Sequence, residues 1–410
     1  VPPSSGRPIG PTAVDVGGVR AVNLARVLAA ALAAPTPPTR AALATATGTT
    51  RATASRLVDD LVAGGLLEES APDAGLPRGP GRPGTHLSPG RGVAALGLQV
   101  DVDRVAAVVT DLTGAVRASH VTEGDFRGSR PEGVLGLLAD VAGRAIAEVD
   151  ATVVGARLAL PGIVDGRGVL LRAPNLGWSD VAVAAVMPPV DGLPAPVVGN
   201  EADLGAVTVS YPAPGRPGEH ADFVYLSGAA GIGGSVVLDG APLRGRHGWA
   251  GELGHVTVDP DGPDCACGST GCLEQYAGMR ALAVAAGLEP TARTSDIARA
   301  ARDGEPAAAA AVERAAEALG IALSAVVNVV DVPVIVLAGH LREIGDLVRP
   351  TLLETLTRRV LSARWAPPVV EVAPQRPLAA AVGAAYAELH ALVADPGRRL
   401  GRRRTATPAG

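Results

Sequence analysis

Cys265, Cys267 and Cys272 are the only cysteines in this chain of 410 residues, and all three fall within eight positions. His255 stands a short way upstream, giving the spacing His-x9-Cys-x-Cys-x4-Cys. Three thiolates and an imidazole brought to one loop match the donor set that tetrahedral Zn²⁺ takes. The alternatives are a disulfide or thiols buried by packing alone. A Cys265–Cys267 bridge would close a very tight ring and leave Cys272 unpaired. Packing alone does not explain why cysteine is absent everywhere else. The loop is therefore expected to fold around Zn²⁺ through His255, Cys265, Cys267 and Cys272. Four protein ligands leave no open position, so the expected metal is structural and not hydrolytic.

The length fits two or three domains. Apolar residues make up 47% of the chain, enough for sizeable cores. Lysine is absent and all 36 basic residues are Arg, so Arg content alone says little about function. A net charge of −5 excludes a generic polyanion binder. Residues 1–95 differ, with nine Arg against six Asp or Glu. That asymmetry is compatible with a small DNA-binding module on an acidic body. The apolar run 27–34 follows twenty-odd residues that include Asp15, so it reads as an amphipathic helix and not an export signal. The longer run 319–339 is split by Asn328, Asp331 and Pro333 into a helix and a strand. No membrane or export signal is therefore expected, and clustered metal-ready thiols fit a reducing cytoplasm.

The first unit, residues 1–90, reads as helical. Val22, Leu24, Val27, Leu28, Ala31 and Leu32 form a helix-spaced stripe that Pro35, Pro37 and Pro38 end. A short helix from Arg40 to about Ala46 follows, then the turn Thr47-Gly48-Thr49, with Thr50 as N-cap of a helix over 51–62. Ala54, Leu57, Val58 and Leu61 share one face of that helix, and Arg51, Ala52, Ser55 and Arg56 lie nearly opposite. This is helix-turn-helix spacing, with Arg51, Ser55 and Arg56 offered to base edges and phosphates. A strand over 66–69 and the run Arg78-Gly79-Pro80-Gly81-Arg82-Pro83-Gly84 suit a wing in which Arg78 and Arg82 neutralise phosphate charge. The competing reading is a small helical interaction domain with a linker; the wing, the exposed Arg pair and the local charge favour DNA.

From Ala94 the texture changes. Strands are expected over 94–100, 105–111, 153–160, 223–226, 235–238, 334–337 and 369–372, and helices over 134–149, 273–285, 295–302, 306–329, 341–356 and 378–393. This alternation describes an α/β body over 94–394, about 300 residues, large enough for two lobes around a cleft. Residues 395–410, with Arg398, Arg399, Arg402, Arg403 and Arg404, read as a basic, disordered tail.

Carboxylates flank the cysteine loop: Gly251-Glu252-Leu253-Gly254-His255 before it and Gly271-Cys272-Leu273-Glu274 after it. Carboxylates fixed in a cleft accept hydrogen bonds from hydroxyls, as a sugar would require; equally, both Glu side chains suit support of the metal ligands. The segment from His255 to Glu274, with its Cys-x-Cys-Gly-x-x-Gly-Cys-Leu-Glu core, and the preceding Gly-Glu-Leu-Gly-His resemble the signature of the ROK family (repressor, open reading frame, kinase). The likeness extends over about 94–392, and the N-terminal winged helix is similar to that of the family's repressor branch. It implies a two-lobed actin-like (ribonuclease H-like) ATPase-type body, a sugar cleft and a homodimer or homotetramer. It also implies sugar contacts at Asn200, Glu252, His255 and Glu274, with Asn175 in a nearby loop.

The family's kinases carry an Asp-x-Gly-Gly-Thr type loop, where this chain has Asp101-Val102-Asp103-Arg104-Val105. Side chains replace the glycines that would expose backbone N–H groups to phosphate. In Gly228-Ala229-Ala230-Gly231-Ile232-Gly233-Gly234 an alanine stands where a threonine hydroxyl is usual, and Ala338-Gly339-His340 replaces a Gly-Gly pair. Glu201 occupies the position of the kinase base, usually Asp; its extra methylene moves the carboxylate by roughly an ångström. Glu201 remains a hydroxyl acceptor for a bound sugar. The expectation is a sugar-responsive repressor that binds double-stranded DNA, takes a sugar or sugar phosphate, and is not an enzyme.

Overall fold

The computed structural model describes residues 16–70, 85–190, 192–228, 231–397 and 399–400. These fall into two compact units, one within 1–91 and 390–410, the other within 92–389.

In the first unit, α1 (Val16–Ala33), α2 (Arg40–Thr47) and α3 (Arg51–Ala63) precede β1 (Leu67–Ser70) and β2 (His86–Pro89), which pair antiparallel. Leu24, Val27, Leu28, Ala31 and Leu32 are buried on α1, but Val22 is 57% exposed. The expectation for Val22 fails on helix geometry: two residues at 100° each place it far round the cylinder from Leu24. Thr39 caps α2 by accepting the Ala42 amide, and Thr50 caps α3 by accepting the Thr53 amide (3.2 Å each). Gly48 ends α2 in the left-handed region (φ 66°) and turns the chain into α3.

Arg40 ties this unit together. Its guanidinium meets Asp59 (2.7 Å) and the Ser55 carbonyl (2.9 Å) on α3, and Glu69 (2.8 Å) on β1. Replacing Arg40 with Met should cost about 1–2 kcal/mol, since the charged partners are partly exposed. In a domain this small that lowers the unfolding midpoint by about 5–10 °C. Thermal unfolding followed by circular dichroism measures it; an unchanged midpoint would show that the bridge holds nothing.

The second unit repeats one layout twice. β3 (Val93–Val100), β4 (Arg104–Asp111) and β5 (Val116–Glu123) form an antiparallel meander; α4 (Pro131–Ala147) leads to β6 (Thr152–Leu160). A small sheet of β7 (Ile163–Val164), β8 (Val169–Ala173) and β9 (Trp178–Ala182) and the turn α5 (Val183–Val186) precede β10 (Val197–Asn200). The sheet order is β10-β6-β3-β4-β5, with β6 parallel to β3 and β10 parallel to β6. After α6 (Glu201–Ser210) come β11 (Phe223–Gly228), β12 (Ile232–Leu238) and β13 (Ala241–Pro242), antiparallel. Helices α7 (Glu274–Ala277), α8 (Met279–Ala285), α9 (Thr294–Arg302) and α10 (Pro306–Val330) precede β14 (Val334–Gly339), α11 (Gly345–Arg359) and β15 (Val369–Val372). This sheet runs β13-β12-β11-β14-β15, again antiparallel first and parallel after. α12 (Ala379–Ala394) follows, and its Gly383 lets the α6 backbone approach: a Cβ there would collide with the Leu204 carbonyl.

Each lobe has its own core. Leu96, Leu98, Val109, Leu138 and Leu158 lie in the first, and Leu226, Leu319, Leu323, Ile335 and Leu352 in the second. On α10 the buried residues Ala308, Ala311, Ala315, Leu319, Ala322 and Val327 recur at helical spacing. Two expected helices are corrected. The helix over 273–285 is broken at Gly278, whose extended backbone (φ −66°, ψ 147°) separates α7 from α8. The helix expected from Leu341 begins at Gly345, after a tight 3-10 turn over His340–Ile344. Of the basic tail, Arg398 and residues 401–410 lie outside the described residues, while the Arg399 and Leu400 amides both donate to the Pro396 carbonyl. Among the described residues no helix is long and apolar enough to cross a membrane.

Candidate functional site

A loop between β13 and α7 carries the cysteines. The short turn Leu253–His255 delivers Glu252 and His255, and the bridges Thr257↔Cys272 and Asp264↔Thr270 fold the rest back. Gly271 makes the tight return possible (φ 60°); a Cβ there would collide with the Asp259 carbonyl. One ligand atom each from His255, Cys265, Cys267 and Cys272 lies within 4.8 Å of the other three. Cys265 Sγ is 3.8 Å from His255 Nδ1, and Cys267 Sγ is 3.6 Å from Cys272 Sγ. Metal–thiolate bonds of about 2.3 Å in a tetrahedron give edges of about 3.8 Å, whereas a disulfide requires about 2.05 Å. The cysteines are free, and the four side chains form a set that can hold a metal ion.

The histidine joins this cluster to the carboxylates. Nδ1 faces the cysteines and lies 3.8 Å from Glu274 Oε1, while Nε2 lies 3.9 Å from Glu252 Oε2. Glu274 opens α7, nearly buried, and accepts from the Cys265 thiol (3.1 Å). Asn175 meets it from the other lobe: a Cβ on Gly231 would collide with Glu274 Oε2 and come within 2.9 Å of Asn175 Nδ2. Glu201 also lies near β12, its Oε1 3.9 Å from where a Cβ on Gly233 would stand, an ordinary contact. Bare backbone at Gly231 is thus what leaves room for Glu274 and Asn175 side by side.

Asn200 has a structural task. Its Oδ1 accepts from the Ala202 (2.7 Å) and Asp203 (3.2 Å) amides, capping α6, and its Nδ2 donates to the Gly162 carbonyl (3.0 Å). One Nδ2 hydrogen remains for a ligand. Burial pushes the Glu201 carboxyl well above its usual range, and the charges of Asp101, Glu252 and Asp103 push the same way. Burial also raises Glu252, against the opposing pull of His255.

Two hollows adjoin these residues. A cavity of about 60 Å³ is lined by Asn200 and Glu252 together with Arg157, Asp203, Arg244 and Trp249. The sequence reading missed those last four. Arg244 and Trp249 lie just upstream of Glu252 and Asp203 just after Glu201, a proximity that would have found three of them. The second is a cleft of about 1130 Å³, reaching Asp101, Asp103, Arg104, Glu201, Gly228 and His340. Asp103 is held by Arg104 through two contacts of 2.8 Å. The His340 imidazole occupies the space where a Cβ on Gly228 would lie, and its Nε2 bonds the Ala277 carbonyl (2.8 Å). Ala229 and Ala230 lie outside the described residues.

On the first unit, α3 buries Ala54, Leu57, Val58 and Leu61 and exposes Arg51 and Arg56. Ser55 is half-buried, with its carbonyl taken by Arg40. β1 and β2 frame the segment 71–84, so Arg78 and Arg82 lie outside the described residues.

A three-helix reader with a β-hairpin, followed by two similar lobes around a polar cleft, defines a winged-helix protein with an actin-like ligand-binding body. The chain belongs to the ROK family, whose model matches residues 95–390, and a MarR family model matches residues 25–74. It is 28% identical to a xylose repressor of Caldicellulosiruptor bescii over 353 residues, covering 81% of this chain and 87% of that one. It is 29% identical to a glucokinase of Streptomyces coelicolor over 304 residues, 68% of this chain and 93% of the other. The crystal structure of a ROK family transcriptional regulator, a homologue of the E. coli MLC protein, superposes with a TM-score of 0.75 at 24% identity; 94% of this chain and 99% of that chain are covered. That match establishes the fold.

Proposed function

We propose that this protein is a sugar-responsive transcriptional repressor. The observations that support it are a capped helix with exposed Arg51 and Arg56, and, on the same chain, His255 set 3.9 Å from Glu252 and 3.8 Å from Glu274, with Asn200 and Glu252 lining one cavity. Its similarity to a xylose repressor over most of both lengths supports the same reading. Arg51, Ser55 and Arg56 enter the major groove, and Arg78 and Arg82 of the wing reach backbone or minor groove. A homodimer presents two such heads to paired half-sites, in the cytoplasm. Sugar hydroxyls bind the carboxylates, and the ligand prefers one arrangement of the lobes; without that preference it could not regulate.

Zn²⁺ suits the three thiolates and one imidazole, and it has a structural role. It fixes the loop between Glu252 and Glu274 and adds no reactive position. We read the body as no longer a kinase. The Asp103–Arg104 pair (2.8 Å) and the His340 imidazole set against Gly228 support this reading.

The test is selection of operator DNA from a random pool by the full chain, followed by release with pentoses and hexoses, each with and without ATP. Sequence-selective binding relieved by a sugar, with no ADP formed, is expected. Steady phosphorylation of the sugar, lost in Glu201→Gln, would make the protein a kinase instead.

A further inference from the structure

We infer that the effector carries an anionic group, phosphate or carboxylate, which the Arg157–Arg244 cavity beside the sugar cleft receives. The inference rests on the sugar-responsive reading above and specifies the chemistry of the ligand.

Arg157 projects from β6, the second strand of its sheet, into this cavity. Its side chain is only 15% exposed, and its one ion-pair partner, Glu388, stands at a long 3.4 Å. Its Nε is buried with no hydrogen-bond partner among the described residues. A buried guanidinium N–H left unmatched carries a desolvation penalty that an arriving acceptor would remove. Arg244 faces the same cavity from the opposite lobe, and its guanidinium has no acceptor among the described residues. Two guanidinium groups lining one small cavity repel each other, and Arg244 indeed lowers the Arg157 pKa beyond the larger effect of burial. An anion between them would satisfy both.

The acidic neighbours offset these charges only in part. Asp165 is spent on Arg167 and on the Arg167 and Val169 amides. Asp203 accepts from the Ser235 hydroxyl (2.7 Å); burial raises its pKa against the opposing pull of Ser235 and of Arg244, so it offsets the Arg244 charge only in part. The cavity of about 60 Å³ has room for several waters, at about 10–15 Å³ each, or for one phosphate or carboxylate in their place. Asn200 and Glu252 belong to both the cavity and the sugar cleft, so one small ligand can span the two. Trp249, 43% exposed and stacked on His247 with centroids 4.8 Å apart, forms the wall and reports occupancy.

The experiment titrates the full chain with glucose, xylose, glucose 6-phosphate and glucuronate, reading Trp fluorescence and operator release at one salt concentration. An anionic sugar should bind at least about tenfold tighter than its neutral parent, the weight of one hydrogen bond to a charged group. The phosphate and carboxylate arms identify which anion is taken. Arg244→Gln removes an exposed side chain with no hydrogen bond among the described residues, so its melting in the absence of ligand should stay close to the parent's. It should remove that tenfold preference and leave the neutral sugar's affinity unchanged, and Arg244→Lys should restore part of it. Neutral sugars binding as tightly as their anionic counterparts, with Arg244→Gln silent, would overturn the inference and leave the sugar reading intact. Absence of binding by every sugar would sink both.

Discussion

Chelating the metal, or replacing Cys272 with Ser, is expected to end the response to sugar and to lower the unfolding midpoint of the ligand-binding unit by about 10 °C. A structural zinc site contributes about 10–16 kcal/mol in small peptides whose folding depends on it. Here the loop keeps other support, including the Thr257↔Cys272 and Asp264↔Thr270 bridges and the buried Leu273, so the net loss should be about 4–5 kcal/mol. In a unit of this size each kcal/mol moves the midpoint by about 2–4 °C. Cys272 is fully buried with its Sγ 3.6 Å from Cys267 Sγ, and a serine hydroxyl there is a far poorer metal ligand than a thiolate. The sugar response is expected to fail because His255, 3.8–3.9 Å from both Glu274 and Glu252, loses its anchor, and the two carboxylates proposed to accept sugar hydroxyls lose their spacing. Operator binding without sugar should persist, since the reading helix belongs to the other unit. Calorimetry and operator release measure the two effects. Chelated protein that still releases operator at the same sugar concentration would remove the metal from this account.

The contrast between what could and could not be read in advance follows from locality. The cluster and its carboxylates occupy one stretch, Glu252 to Glu274, so spacing alone located them. The reading helix was legible because its cap, Thr50, and its buried face lie within twelve residues. Legibility ended where tertiary contacts decide. The helix expected over 273–285 breaks because the Ala277 carbonyl bonds His340, which lies 63 residues away, and Gly278 takes up the extended turn. β5 escaped notice because only Ala118 of its eight residues is buried, leaving no apolar alternation. The start of α6 is set by the Asn200 cap and not by periodicity, so Glu201 was found through resemblance alone. Arg157 gave no signal at all; one arginine among valines and alanines becomes notable only when the opposite lobe supplies Arg244.

Replacing Arg51 or Arg56 with Ala should weaken operator binding by about ten- to a hundredfold without changing stability. Both side chains are exposed and have no partner within the protein among the described residues, so their loss leaves nothing unsatisfied. A base contact by Arg is worth about 1–3 kcal/mol of discrimination, whereas a phosphate contact acts on all sequences alike and steepens the salt dependence by about 0.9 per charge. Arg51 opens α3, the end of a reading helix that approaches base edges, and Arg56 follows one and a half turns later. Arg51→Ala should therefore relax preference at one base pair of the operator. Arg56→Ala should flatten the salt slope and lower affinity evenly if it meets phosphate. Ser55 is a poorer target, because Arg40 fixes its carbonyl and packing half-buries it. Titrations of operator and mismatched DNA at several salt concentrations separate these effects. Unchanged affinity and unchanged slope in both variants would mean that α3 does not read DNA, and that the N-terminal unit serves a protein partner.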